Sequence, residues 1–308
     1  MKKLKMAVLG VGHLGKEHAR ILSNLPQVEL VGLVDIDISR AREIGEKYRV
    51  KGYDNVDKII DRIDAATVVV PTDKHYELAA GLLESGKSVL VEKPITTNVE
   101  QAAELVRLAG KKGMLLQVGH VERFNPIVQD LARLVQQPRF IEIHRLSPFT
   151  PRGTEVGVVL DLMIHDIDIV LAIVKDSIKK IDAIGVNVLT SFEDIANARI
   201  TFQNGCVANL TASRVSPERM RKIRIFEPSV YTSVDYYQQE GVCFYKHGNK
   251  ILKRIMEVGK DEPLKLELQD FIRSVLEGTP PQVSGEDAVA ALEAAEKIRA
   301  EIWKTKIS

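Results

Sequence analysis

Through the first 120 residues, short apolar runs alternate with stretches whose apolar residues recur at helical spacing. Residues 5–10 form an apolar run that stops at a glycine, and residues 14–25 follow with helical spacing until Pro26 ends it. The same rhythm predicts strands over residues 28–35, 65–70, 88–92 and 114–119, with helices over 39–48, 75–84 and 98–112 between them. Asn98 is placed to cap the last of these helices, with Gln101 three residues on. Strands alternating with helices require crossover connections, so the expected product is a parallel sheet covered on both faces.

The rhythm changes after about Asn125. Residues 139–146, 180–189, 196–203, 206–214, 221–226, 230–236 and 241–246 alternate like strands, and Asn204-Gly205 is a two-residue hairpin signal. One apolar helix, residues 160–174, interrupts them, and two more helices over 263–277 and 285–304 close the chain. The fold class expected is therefore α/β: a doubly wound, Rossmann-type domain over residues 1–122, joined to an α+β domain over 123–308 with an open, mostly antiparallel sheet. The C-terminal helix is expected to pack back on the first domain. A wide sheet with apolar alternation on both faces calls for a second subunit over one of them, a homodimer or homotetramer.

A chain of 308 residues suits two domains. Lys and Arg number 43 against 42 Asp and Glu, so the charge favours a small metabolite over nucleic acid. There is no run of about 18 apolar residues to span a membrane, and the Met1-Lys2-Lys3 start leads straight into a short strand, so a cytoplasmic location is expected. The two cysteines, Cys206 and Cys243, lie in strand-like stretches and suit a reducing compartment, with no metal site expected.

Gly10-Val11-Gly12-His13-Leu14-Gly15 fits GxGxxG between a strand and a helix, where amides at the helix start cradle a pyrophosphate. Asp35 ends the second strand, 20 residues after Gly15, where a carboxylate accepts ribose hydroxyls and repels a 2'-phosphate. The expected cofactor is NAD, held by Gly10, Gly12, His13, Leu14, Gly15, Asp35 and the neighbouring Ile36; Arg40 offsets some of the negative charge of Asp35 and Asp37.

Glu92-Lys93-Pro94 follows the fifth strand at the carboxyl edge of the sheet, where ligands bind in such folds. Pro94 restrains Lys93 to an extended backbone and admits a cis bond between them; a solvated loop lysine is the alternative. Asp161 and His165 stand at i and i+4 in an apolar helix, which puts both on one face, with Asp166 and Asp168 beside them. Polar groups in such surroundings need partners or a ligand. Proton transfer suits a histidine, a satisfied core histidine is the plainer reading, and a metal would find only two ligands here.

Together these motifs, with Pro71-Thr72 and His75 between them, resemble the Gfo/Idh/MocA oxidoreductases over nearly the whole chain, Val283-Ser284-Gly285-Glu286-Asp287 included. The resemblance implies that Pro71, Thr72 and His75 line the dinucleotide and that Glu92 lies near the nicotinamide ribose. It implies Arg123 as a further cofactor residue, and Lys93, Asp161 and His165 as the catalytic set. Two positions depart from the common pattern: Val121 where asparagine is frequent, and Met163 where glycine is, which narrows the room beside the substrate. Within the family, residues 118–126 and 152–165 look most like the UDP-N-acetylglucosamine 3-dehydrogenases. Arg152 and Arg214 are then candidates to grip a diphosphate, beside Lys93 and His165 on the sugar. The alternatives are a free polyol or sugar dehydrogenase of the inositol type and a non-catalytic NAD-binding regulator. Retention of Lys93, Asp161 and His165 together argues against the regulator.

Overall fold

The computed structural model describes residues 3–151 and 153–306. The chain divides into two compact units, residues 1–120 with 264–289 and residues 121–263 with 290–308. The first unit takes in the segment 264–289, which the sequence pattern assigned to the second domain.

The first unit is built on six parallel strands: β1 (Leu4–Leu9), β2 (Val28–Val34), β3 (Gly52–Tyr53), β4 (Ala65–Val68), β5 (Ser88–Glu92) and β6 (Leu116–Gly119), in the order β3-β2-β1-β4-β5-β6. Helices α1 (Gly15–Leu22), α2 (Ile38–Tyr48), α3 (His75–Glu84) and α4 (Val99–Lys112) connect them. This is the doubly wound arrangement expected, with the change of direction between β1 and β4. Asn98 caps α4 by accepting the Gln101 amide at 2.9 Å, as its position predicted.

Helix α5 (Pro126–Leu134) opens the second unit. Asn125 caps it with proline in the first turn, and Ile127, Val128 and Leu131 form its buried stripe. The sequence reading missed it, though cap, proline and stripe were all present. Eight strands follow: β7 (Phe140–Leu146), β8 (Ile178–Val186), β9 (Ile195–Phe202), β10 (Val207–Ser213), β11 (Met220–Glu227), β12 (Val230–Asp235), β13 (Glu240–His247) and β14 (Lys250–Met256). They pair in the order β14-β13-β12-β11-β7-β10-β9-β8, antiparallel except for the parallel β7–β10 pair. The unpredicted β14 is a Lys-rich edge strand, exposed over most of its length, and so lacks a buried face to read. Between β9 and β10 only Gly205 takes a positive φ, +83°, so the expected two-residue turn is instead a three-residue loop ending in a left-handed glycine.

One face of this sheet, carrying Ile141, Ile143, Ala198, Ile200, Leu210, Ile223 and Ile225, packs against α5, against α6 (Ile164–Val174) and against the 290–302 part of the last helix. Helix α7 (Pro263–Glu277) and the start of α8 (Gly285–Lys306) belong to the first unit, where Ser284 and Asp287 cap α8 reciprocally and Ser284 bridges to Gln117 of β6. Among the described residues no helix is long and apolar enough to cross a membrane.

Candidate active site

In the first unit, Gly10, Asp35, Pro71 and Lys93 all follow the carboxyl ends of parallel strands. Gly10 has φ +86°, and its amide donates to Val34 O at 2.7 Å. A Cβ on Gly15 would lie 1.9 Å from Gly10 O, so the start of α1 closes on the loop only with glycine there. A Cβ on Gly12 would meet nothing within 4 Å; the open space lies where a pyrophosphate approaches the amides. His13 and Leu14 are exposed on the same turn.

Asp35 is buried. Its Oδ2 accepts the Val11 amide and its Oδ1 the Asp37 amide, both at 2.9 Å, tying the end of β2 to the glycine loop. A carboxylate has about four acceptor sites, so two remain for ribose hydroxyls or for Arg40, whose Nη1 is 3.5 Å from Oδ2. Asp37 caps α2 through the Ser39 and Arg40 amides. Ile36 is 98% exposed, an apolar platform beside Asp35 that suits the face of an adenine ring. These features fit a dinucleotide along the sheet edge.

Pro71 is exposed, and Thr72 opens a 3₁₀ turn, Thr72–Lys74. His75 was expected to line the dinucleotide. It is 1% exposed, with Nδ1 2.8 Å from Pro94 O and Nε2 2.8 Å from Val70 O, so both ring nitrogens are turned to the main chain. Lys93 is half-buried and joined to Pro94 by a cis bond. Glu92 is also buried: Oε1 meets His18 Nε2 at 3.1 Å and Oε2 accepts the Lys93 amide at 3.3 Å. Its place against Gly119 would be closed by any Cβ there, 2.7 Å from Oε2. The sequence reading missed His18, although a histidine on the apolar side of α1, three residues past Gly15, signals a needed partner.

In the second unit Asp161 lies in a single π-helical turn, Val159–Met163, that runs into α6, where His165 sits in the first turn. The expected plain helix is thus wound wider at its start, a local geometry common at functional sites. Asp161 is half-buried, His165 is 9% exposed, and the Asp161 amide donates to Gly157 O at 3.1 Å. Gly153, at φ +75°, lets the preceding loop close on Asp161: a Cβ there would be 2.9 Å from Oδ2. Arg123 donates to Asp168 at 3.2 Å.

Asp166, next to His165 in sequence, belongs to a buried ionic cluster. Arg145 grips Asp166 with Nε and Nη2, both at 2.9 Å, and reaches Glu122 at 3.2 Å. Arg221 also donates to Glu122, and the Tyr236 hydroxyl donates to Asp166, each at 2.9 Å. Burial opposes the Arg145 charge, but the Asp166 and Glu122 carboxylates outweigh it and hold the guanidinium well above its ordinary range. Burial pushes the Tyr236 phenol well up, and it stays a neutral donor. Arg145 falls on the same strand face as Ile141 and Ile143, so the period-two pattern already put a cation in the core.

Arg214 corrects an expectation. The suggested diphosphate ligand is 4% exposed, and its Nη1 and Nη2 donate to Gly153 O at 2.9 Å and Val156 O at 2.7 Å. Arg214 is therefore buried and holds the 153–156 loop with one donor of each terminal nitrogen, in place of the exposed fork expected for a phosphate. Arg152, its proposed partner, lies outside the described residues.

Comparison with known proteins gives this geometry a lineage. Residues 4–120 match the description "Oxidoreductase family, NAD-binding Rossmann fold", and residues 135–227 match the GFO/IDH/MocA C-terminal domain. The UDP-N-acetylglucosamine 3-dehydrogenase of Acidithiobacillus ferrooxidans is 33% identical over 97% of this chain and 97% of its own. The chain belongs to the Gfo/Idh/MocA oxidoreductase family. A crystal structure of the Acidithiobacillus enzyme superposes with a TM-score of 0.94, covering 98% of each chain. Another Gfo/Idh/MocA relative, the myo-inositol 2-dehydrogenase of Thermotoga maritima, is 28% identical over 94% of this chain and 93% of its own. A structure of a gentamicin A biosynthesis protein with NAD, 20% identical, shares the fold at a TM-score of 0.85. As in the family, residues 4–120 form an NAD-binding Rossmann domain and the protein is an oxidoreductase.

Proposed function

We propose that the protein oxidises the 3-hydroxyl of UDP-N-acetylglucosamine to a ketone. The observation carrying this reading is the 33% identity to a UDP-N-acetylglucosamine 3-dehydrogenase across 97% of both chains, against 28% for the inositol dehydrogenase. NAD, held by the Gly10–Gly15 turn, Asp35 and Ile36, supplies the hydride acceptor. The protein's own groups do the proton work. Lys93, in its turn at the end of β5, receives or orients the hydroxyl proton, and Asp161 and His165 are the further residues proposed for the catalytic set. Arg152 is the residue proposed to hold the diphosphate.

The same reading makes the protein a cytoplasmic homo-oligomer. Support for assembly comes from the sheet face of the second unit that carries no helix, where Phe140, Phe226, Tyr231 and Phe244 form a continuous row and Ile184 and Ile255 are 58% and 62% exposed. Sedimentation over a range of concentrations tests it, and a monomer throughout would overturn it.

The decisive assay is NADH formation with UDP-N-acetylglucosamine, coupled to an aminotransferase or a ketone trap in case the equilibrium opposes oxidation, beside free sugars and inositols. Turnover of the nucleotide-sugar is expected. Clear turnover of myo-inositol or glucose with none of the nucleotide-sugar would move the protein to the polyol reading.

A further inference from the structure

We infer that two buried histidines, His18 and His75, are positioning residues that hold the Glu92–Pro94 turn from opposite ends and thereby fix Lys93 for the reaction. The inference rests on the reading that Lys93 acts on the substrate. The contacts all lie within the first unit. His75, at the start of α3, spans the gap between Val70 O after β4 and Pro94 O after β5, 2.8 Å to each. His18 of α1 meets Glu92 Oε1 at 3.1 Å, and Glu92 Oε2 takes the Lys93 amide at 3.3 Å. The lysine is thus flanked by a residue held from α1 and a residue held from α3.

Neither ring can touch the reacting atoms, because His18 is 0% and His75 1% exposed and the contacts of both run inward. His18 Nδ1 has no hydrogen-bond partner among the described residues, so its proton belongs on Nε2, donated to the Glu92 carboxylate. For His75 either neutral tautomer donates to one of the two carbonyls and the imidazolium to both. A buried polar ring at each end is costly unless its bonds are made, so the bonds specify where the turn sits. Since α1 begins in the glycine loop, the His18–Glu92 contact also joins the cofactor turn to the lysine turn.

The test separates the brace from the function. Reductive methylation with 13C-formaldehyde labels the lysines, and the Lys93 signal is assigned by its absence in Lys93→Arg. In the wild type that signal is expected away from the envelope of exposed lysines, and in His75→Ala or His18→Ala it is expected to collapse into it. NAD affinity, read by fluorescence, should stay within about threefold, and where turnover is established kcat should fall about 30-fold with the substrate KM little changed. His75→Asn keeps a donor near the Nδ1 position and His75→Gln one near Nε2, so recovery by asparagine more than by glutamine is expected if Pro94 is the end that matters. His18→Gln should likewise restore the Glu92 contact. These amide variants carry the test if an alanine variant does not fold. An unchanged Lys93 signal in folded His18 and His75 variants, or a loss of turnover that merely tracks a loss of NAD binding, would overturn the inference. Because the labelling needs no substrate, a wild type inactive on UDP-N-acetylglucosamine would count against the function and leave the brace to be judged by its spectrum.

Discussion

Asp194 gathers the amides of Val188, Leu189 and Thr190 at 2.8, 2.6 and 2.8 Å and the Thr190 hydroxyl at 2.8 Å, while Arg214 Nε stands 4.0 Å away. Burial pushes this carboxyl up, and the amides and hydroxyl pull it down harder, from the ordinary 3.8 to about 2. A depressed folded pKa contributes stability that is complete above the unfolded value and lost as pH falls through the folded one. Unfolding monitored by urea should therefore lose stability between about pH 4 and pH 2, and Asp194→Asn, which puts an amide donor among donors, should remove that component and cost about 2 kcal/mol at neutral pH. A variant with the parent's acid profile would show that the carboxylate contributes nothing. Asp35 carries a second residue-scale expectation. Its carboxylate faces the ribose position, yet Arg40 stands 3.5 Å from it and offers a cation to a 2'-phosphate. NAD should still be preferred, and Asp35→Ser should narrow the ratio of NAD to NADP affinity by about tenfold, since one carboxylate–phosphate repulsion is removed. Equal or tighter NADP binding by the unmodified protein would sink the assignment.

At the level of elements, most periodic segments were read from the sequence, α5 excepted, and tertiary exchanges were not. The parallel strands announced themselves as apolar runs, and the glycine loop fell where its spacing put it. The π turn at Val159–Met163 was not readable, because an apolar segment has the same composition at either winding. Arg214 was read as a candidate diphosphate ligand at a strand end; only the fold shows that the 153–156 carbonyls come to it. Arg145 was readable as a core cation but its partners were not, since Glu122 and Asp166 lie 23 and 21 residues away in sequence. That cluster joins β7, α6 and the Val121–Phe124 turn, and with them the neighbours of His165 and Arg123. Arg145→Met should cost about 3 to 5 kcal/mol in thermal or urea unfolding, because Asp166 would be left buried without its cation and Glu122 would keep only Arg221. The paired change Arg145→Met with Asp166→Leu should cost less than the single one, and a larger cost would mean that packing, not charge, sets the penalty.

For the whole molecule, the roles fall unevenly on the two units, and this gives the catalytic assignment its sharpest test. The glycine loop, Asp35, Ile36 and Lys93 belong to the first unit, whereas Asp161 and His165 belong to the second. A residue whose only role is structural should lower stability and cofactor binding together, but an acid–base group should lower turnover and spare both. Lys93→Met and His165→Ala are each expected to reduce turnover of the nucleotide-sugar by roughly 100-fold while NAD affinity and the unfolding midpoint stay close to the parent's. His165→Ala is the more demanding of the two, because it lies outside the unit that holds the cofactor turn. If the two groups share one proton-transfer step, the double variant should be little worse than the worse single variant, since the step is already lost when either is removed. Single-turnover rates with NAD saturating would read this directly. Full turnover in Lys93→Met would return that lysine to the solvated loop residue that its sequence context allowed, and fully additive losses in the double variant would mean that Lys93 and His165 serve separate steps.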